Sequence, residues 1–191
     1  KCADTIFSGE LNLSGQLLPV RGILPMVSDG VKEGIHKFVV PADNLMESRL
    51  VQGADVCGFP ALESVIGYLQ DGGYKEPAYA GRRQNRSHGV PDFSEVNGQQ
   101  FLKRAAEIAA SGMHNMLMVG PPGAGKTMIS ERMATILPPL TKKEQLEVSK
   151  IYSVCGLLAD SRTLLQERPF RSPHHTVSMA GLAGGGRRIR P

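Results

Sequence analysis

The apolar positions of this chain fall into short runs whose period shifts between two and nearly four. Glu10–Leu13 and Gln16–Val20 alternate on either side of Ser14-Gly15, which predicts a β-hairpin. From Ile23 to Glu33 the apolar residues fall at Ile23, Met26, Val27 and Val31, and Gly34 follows, so the spacing predicts a helix with a glycine stop. His36–Pro41 reads as a strand closed by proline, Asp43–Leu50 as a helix, and Ala54–Phe59 as another strand. Ala61–Leu69 reads as a helix with Leu62, Val65, Ile66 and Leu69 on one face, ended by Asp71-Gly72-Gly73. Strands alternating with helices predict an α/β unit over residues 1–72.

Residues 73–91 have no periodicity and few aliphatic side chains, so they read as a linker. Arg82, Arg83, Arg86 and His88 are taken as its solvated residues rather than as phosphate ligands, because local charge alone specifies little. Beyond it, Gln99–Ser111 predicts a helix with Phe101, Ala105, Ile108 and Ala109 on one face, and Asn115–Val119 a short apolar strand. Lys126–Leu137 predicts a helix stopped by Pro138-Pro139, and Thr141-Lys142-Lys143-Glu144 has the capping-box pattern of a helix running to about Val154. After Gly156 the pattern is irregular, and Gly184-Gly185-Gly186 reads as an exposed loop.

Composition narrows the function classes. The 191 residues suit one domain or two small ones, and 41% hydrophobic with 21% charged residues excludes wholesale disorder. No apolar run approaches the ~18 residues of a membrane-spanning helix, so no membrane partner is expected, and residues 1–20 lack the features of a secretory signal. Cys2, Cys57 and Cys155 are odd in number and far apart, which fits free thiols in a reducing cytoplasm better than disulfides or zinc. The net charge of +4 is a mild lean toward polyanions. A start at Lys1 and an end after a Gly/Arg-rich stretch read as a piece of a longer protein.

The strongest chemical signal is Gly120-Pro121-Pro122-Gly123-Ala124-Gly125-Lys126-Thr127, which matches G-x-x-x-x-G-K-[ST] between a predicted strand and a predicted helix. A polyphosphate must be wrapped by backbone N–H groups. Glycines allow that close approach, and a helix N-terminus adds its positive dipole end. The expected cofactors are ATP and Mg²⁺. All eight loop residues and Met128 after them form the expected binding set. Lys126 is assigned to the β- and γ-phosphates and to catalysis, and Thr127 both to catalysis and to Mg²⁺.

The loop's wording, with an acidic-aromatic segment upstream, resembles the AAA+ branch of P-loop ATPases. Pro91–Gln99 is similar to the stretch that folds against adenine there, which implies that Val96 and Gly98 flank the base. On the residues alone, the same stretch is a helix-entry loop with Phe93 in the core, and the two readings are compatible. Downstream stands Arg168-Pro169-Phe170-Arg171-Ser172-Pro173-His174-His175. Adjacent histidines without further ligands rarely close a metal site, so a loop facing nucleic acid or a neighbouring subunit is preferred. P-F-R-x-P-H-H followed by G-L-x-G-G-G, after G-P-P-G-x-G-K-T, resembles the magnesium-chelatase-like AAA+ ATPases of ComM type, over essentially the whole chain.

That resemblance implies a fold and a function. Gly9–Val20, Gly22-Ile23, Phe38–Pro41 and Asn44 are similar to the peptidase domain of Lon-type proteases. The expected fold class is therefore α/β: residues 1–72 the C-terminal half of a Lon-like domain, 73–91 a linker, and 92–191 the N-terminal part of an AAA+ domain. Leu24 stands where the Lon pattern has its catalytic Lys, and an apolar side chain cannot activate a Ser nucleophile. The block is expected to be a scaffold. No apolar strand ending in Asp-Glu follows Thr127; Glu131, Glu144, Glu147, Asp160 and Glu167 lie on helical or irregular segments. These 191 residues are thus expected to bind ATP or ADP without hydrolysing it. For the whole protein the resemblance implies a cytoplasmic homo-hexameric ATPase that moves DNA branches during recombination of incoming DNA. Alternatives are a magnesium chelatase subunit acting on a porphyrin system and an ATP-dependent protease.

Overall fold

A computed structural model describes residues 2, 4–77, 92–158, 162–174, 176–179, 181 and 184. The linker beyond residue 77, Asp160, His175, Gly185-Gly186 and the arginines 187, 188 and 190 lie outside the described residues. The chain forms an α/β structure with a parallel sheet, and it divides into two compact units. One holds residues 1–84, 145–165 and 178–191; the other holds 85–144 and 166–177.

The first unit begins with β1 (Thr5–Phe7), the hairpin strands β2 (Glu10–Leu11) and β3 (Leu17–Leu18), and α1 (Ile23–Lys32). Then come β4 (Lys37–Pro41), α2 (Leu45–Ser48), β5 (Asp55–Phe59) and α3 (Leu62–Asp71). The strands β1, β4 and β5 form a parallel sheet in the order β1-β4-β5, with Phe38 opposite Val56 and Val39 opposite Cys57. The short β1 was not legible in the sequence: three residues are too few to show a period. The hairpin pairs Glu10 with Leu18 and Leu11 with Leu17.

Both sheet faces are covered, which is why Phe38-Val39-Val40 is unbroken apolar sequence. Phe38, Val40 and Val56 pack with Ile23, Leu24 and Val27 of α1 and Leu45 of α2. Val39 and Phe59 face the other way, onto Val65. Gly30 lets α1 approach closely, since a Cβ there would meet the Phe38 ring at 2.8 Å. The buried Asn44 amide accepts from the Val20 N–H at 2.8 Å and donates to the Val20 carbonyl at 3.0 Å, fixing the hairpin exit to this core.

On α3 the buried side is shifted from the one the spacing predicts. Leu62 and Ile66 are exposed, while Val65, Tyr68 and Leu69 pack inward. Aromatic packing selects this face: Phe59 lies 5.3 Å from Tyr68 and 5.4 Å from Tyr74, centroid to centroid.

The helix α6 (Lys142–Cys155) supplies this unit with Leu146, packed on the core, and with Ser149 and Ser153, both buried. The Ser153 hydroxyl lies 3.4 Å from the Leu24 N–H, which donates to it. Beside it, burial pushes the Glu47 carboxyl above its ordinary range, an effect offset in part by a hydrogen bond with Ser153. The Glu47 Oε1 is buried without a hydrogen-bond partner among the described residues. A carboxyl whose pKa is raised by folding binds more protons folded than unfolded, so its contribution to stability falls as pH rises from about 4.5 through the folded value. Glu47→Gln is therefore expected to stabilise this unit by about 1 kcal/mol at neutral pH. It should also flatten the pH dependence of the urea midpoint above about pH 4.5.

The second unit contains α4 (Gln100–Gly112) and α5 (Lys126–Ile136) around a core of Phe93, Val96, Ala106 and Ile129. Leu102, Met116, Met118, Met128, Met133 and Ile136 pack against it. Phe101 is 90% exposed and Ile108 51%, whereas Ala106, Ala109 and Ala110 are buried. The sequence supports two parallel stripes on α4, 101/105/108 and 102/106/109, and a period of 3.6 cannot choose between them. The smaller one is buried.

Asn115–Val119 is extended in pattern but is not a strand. Met116 and Met118 point into the core, and Leu117 and Val119 are each 88% exposed. The alternation is that of a strand; no other strand is present among the described residues of this unit to complete a ladder. Among the described residues no helix is long and apolar enough to cross a membrane.

Candidate functional site

The predicted phosphate loop sits at the start of α5. Gly125 is the N-cap residue at φ 81°, and Gly123 also has positive φ, at 79°. A side chain at either position would be strained in this left-handed region, which glycine adopts freely. The Ala124 N–H donates to the Pro121 carbonyl at 3.3 Å, and the Gly125 carbonyl accepts from Ile129 at 3.0 Å as the helix begins. Ile129 is fully buried in the core, so α5 is anchored one turn after the loop. The N–H groups of Lys126, Thr127 and Met128 open the helix, where backbone donors have no carbonyl four residues back.

Lys126 folds over the loop. Its ammonium donates to the carbonyls of Gly120 and Pro121, each at 2.7 Å. Thr127 is exposed on the first turn, and Met128 turns its side chain to the core. Gly120, Pro121, Pro122 and Gly123 are exposed, and Ala124 is half-buried. The structure thus places the predicted loop residues at the start of α5, with the Lys126 ammonium on backbone carbonyls and Thr127 exposed on the first helical turn.

The entry segment is pinned to α5 from outside the loop. Asp92 accepts from the Ser94 N–H at 2.7 Å, opening the turn Phe93–Glu95. Arg132 of α5 reaches Glu95 Oε2 through Nη2 at 2.6 Å, and Thr135 Oγ1 accepts from the Phe93 N–H at 3.2 Å. The Arg132 guanidinium holds the Glu95 carboxyl below its ordinary range. Val96 is 1% exposed, so its side chain belongs to the core, and its N–H donates to the Phe93 carbonyl at 3.2 Å. Gly98 has φ 68°. Gln99, which sequence reasoning passed over, follows it with φ 50° and donates from Nε2 to the Ala124 carbonyl at 3.3 Å.

The capping box at α6 forms as its pattern predicts. The Glu144 carboxylate accepts from the Thr141 N–H at 2.8 Å, and Thr141 Oγ1 accepts from the Glu144 N–H at 3.3 Å. The Thr141 backbone N–H is the main cause that lowers the Glu144 carboxyl. Arg168 Nε donates to the Pro138 carbonyl at 2.8 Å, and its Nη2 lies 3.5 Å from Glu144. Arg168, the residue just before the P-F-R-x-P-H-H stretch, is thus an internal strut. His174 Nδ1 lies 2.8 Å from the Thr176 hydroxyl. Among the described residues no group of three or more His, Cys, Asp or Glu is placed to hold a metal.

For Mg²⁺ the fitting donor is Thr127: a hard hydroxyl oxygen, exposed beside the loop. This cation takes one or two protein oxygens and fills its remaining positions with water and phosphate. When bound with a nucleotide, it would neutralise phosphate charge.

The family model described as "Magnesium chelatase, subunit ChlI" matches residues 92–191, and that described as "Subunit ChlI of Mg-chelatase" matches residues 1–44. The chain belongs to the magnesium-chelatase-like family, ComM type. Among the relatives of this magnesium-chelatase-like chain is an uncharacterized protein of Mycobacterium tuberculosis, 42% identical over 96% of the chain and 36% of the relative. The uncharacterized protein YifB of Escherichia coli is 37% identical over 93% of the chain and 35% of its own length. Competence protein ComM of Haemophilus influenzae is 34% identical over 97% of the chain and 37% of its own length. The chain therefore spans little more than a third of the curated relatives it matches.

Proposed function

We propose that this magnesium-chelatase-like chain carries the nucleotide-binding part of an AAA+ ATPase, with residues 120–127 as its phosphate loop. The observation that carries the reading is a glycine-rich turn at a helix N-terminus, with Lys126 folded over its carbonyls at 2.7 Å. A γ-phosphate offers the ammonium a charged acceptor in place of neutral ones, and charge-assisted bonds are roughly twice as strong. Lys126 would exchange carbonyls for phosphate, Thr127 would ligate Mg²⁺, and the backbone of 96–98 would flank the base. Residues 92–191 form the N-terminal part of the AAA+ domain. Residues 1–72 form the C-terminal half of a Lon-like domain, joined to it through 73–91.

For the whole protein we assign a homo-hexameric, cytoplasmic motor acting on branched DNA. The competence name of one relative and the positive charge balance support this. The family description favours a second reading, a chelatase subunit serving a porphyrin system. ATPase assays on the full-length protein separate them: stimulation by branched DNA supports the first, and stimulation only by a porphyrin-binding partner supports the second. Neutralising arginines 187, 188 and 190 together is expected to weaken DNA binding. It should also flatten its salt dependence by roughly 0.7–0.9 in log–log slope for each phosphate no longer neutralised. Fluorescence anisotropy across a salt series checks this, and an unchanged slope would remove these arginines from the interface.

A further inference from the structure

Gln99 combines three features that its place at a helix start does not require. It is one of two non-glycine residues with positive φ among the described residues. Its side chain does not cap its own helix α4. It reaches instead across 25 positions of sequence to the phosphate loop, where Nε2 donates to the Ala124 carbonyl at 3.3 Å. A Cβ built on Gly125 would lie 3.2 Å from that same nitrogen, so the amide stands directly against the loop's last glycine.

We propose that Gln99 is a positioning residue for nucleotide binding: its amide holds the Ala124–Gly125 peptide so that the Gly125 N–H faces the phosphates. The proposal rests on the nucleotide reading above. A trans peptide is planar, so a carbonyl held toward Gln99 turns the N–H of the same peptide the opposite way. Gly125 at φ 81° has no Cβ to hold that plane by packing, and an unanchored glycine peptide rotates freely. The left-handed backbone at Gly98 and Gln99 is what directs the side chain back to the loop instead of along α4. Strain at a non-glycine residue persists when surrounding contacts hold it. Here Glu95–Arg132 and Phe93–Thr135 fix the preceding segment to α5, and Asp92 holds its turn by accepting from the Ser94 N–H.

The variants Gln99→Gly, Gln99→Glu and Lys126→Ala are compared with the wild type in the full-length protein, by titration with a fluorescent ADP analogue and by thermal melting. Gln99→Gly keeps the left-handed backbone without strain and removes the whole side chain, its amide included. It is expected to melt at or above the wild-type temperature yet to bind the analogue about five- to tenfold more weakly. Gln99→Glu, which cannot donate and adds a negative charge near the phosphates, should bind more weakly still. Hydrogen exchange should show faster exchange over residues 120–128 in Gln99→Gly, with 129–136 unchanged. Wild-type affinity in Gln99→Gly, with binding abolished in Lys126→Ala, overturns this proposal alone. A fall in melting temperature with loss of protection throughout the unit makes Gln99 a structural residue and also overturns it. A wild-type protein that binds no analogue overturns the nucleotide reading and this proposal with it.

Discussion

Replacing Lys126 by alanine is expected to weaken ATP and ADP binding by about 10- to 100-fold, with little change in stability. Hydrogen bonds to charged groups are worth about 1.5–3 kcal/mol, and each 1.4 kcal/mol is a factor of ten in affinity. The fold should tolerate the change because, among the described residues, the Lys126 ammonium hydrogen-bonds to loop carbonyls, while burial of α5 rests on Ile129. Alanine is also the better helix former at that position. AMP, which lacks the β- and γ-phosphates, should bind wild type and variant alike. Nucleotide titration beside circular dichroism checks both halves. A variant that unfolds would make Lys126 a structural strap for the loop.

The second large effect is expected at Leu24. Leu24 is fully buried among Ile23, Val27, Phe38 and Leu45, and it stands where the proposed Lon-like reading would expect a catalytic lysine. Leu24→Lys should destabilise the first unit by about 3–5 kcal/mol, because an ammonium placed there loses its hydration among apolar side chains. Burial would depress the new lysine's pKa. Below that folded value the full cost is present; above it the unfolded state binds more protons, so stability recovers as pH rises toward the ordinary lysine range. Urea unfolding of Leu24→Lys at pH 7 and pH 10 measures this. The substituted protein should not cleave casein. Peptidase activity in the wild type would contradict the scaffold reading of the block.

Much of the first unit is legible in sequence because its elements are short and each carries one clear period. The helix at Ile23, the strands at Lys37 and Asp55, and the glycine stops all appear within a residue or two. The faces of α3 and α4 were read only in part: Val65, Leu69 and Ala109 pack inward as the spacing predicts, whereas Leu62, Ile66, Phe101 and Ile108 are exposed. Tertiary partners decide which side is buried: the contact of Tyr68 with Phe59 on α3 and the methionine-rich core on α4. The strand at 115–119 has the right alternation, but strand identity depends on a neighbouring chain segment as well as on local sequence. The glycine turn and the helix start after it were legible because Gly123 and Gly125 meet the demand for positive φ there; the phosphate role of the turn is the proposal above. Gln99 was not legible, since its role depends on a left-handed backbone angle that glutamine's residue type does not announce.

Calorimetric titration of the full-length protein with ATP, with and without Mg²⁺, tests the central claim most directly. Saturable binding is expected at one site per chain, weakened when Mg²⁺ is chelated and reduced at least tenfold in Lys126→Ala. Absence of saturable binding up to about 1 mM ATP, near the −4 kcal/mol end of the affinity scale, would contradict the nucleotide reading.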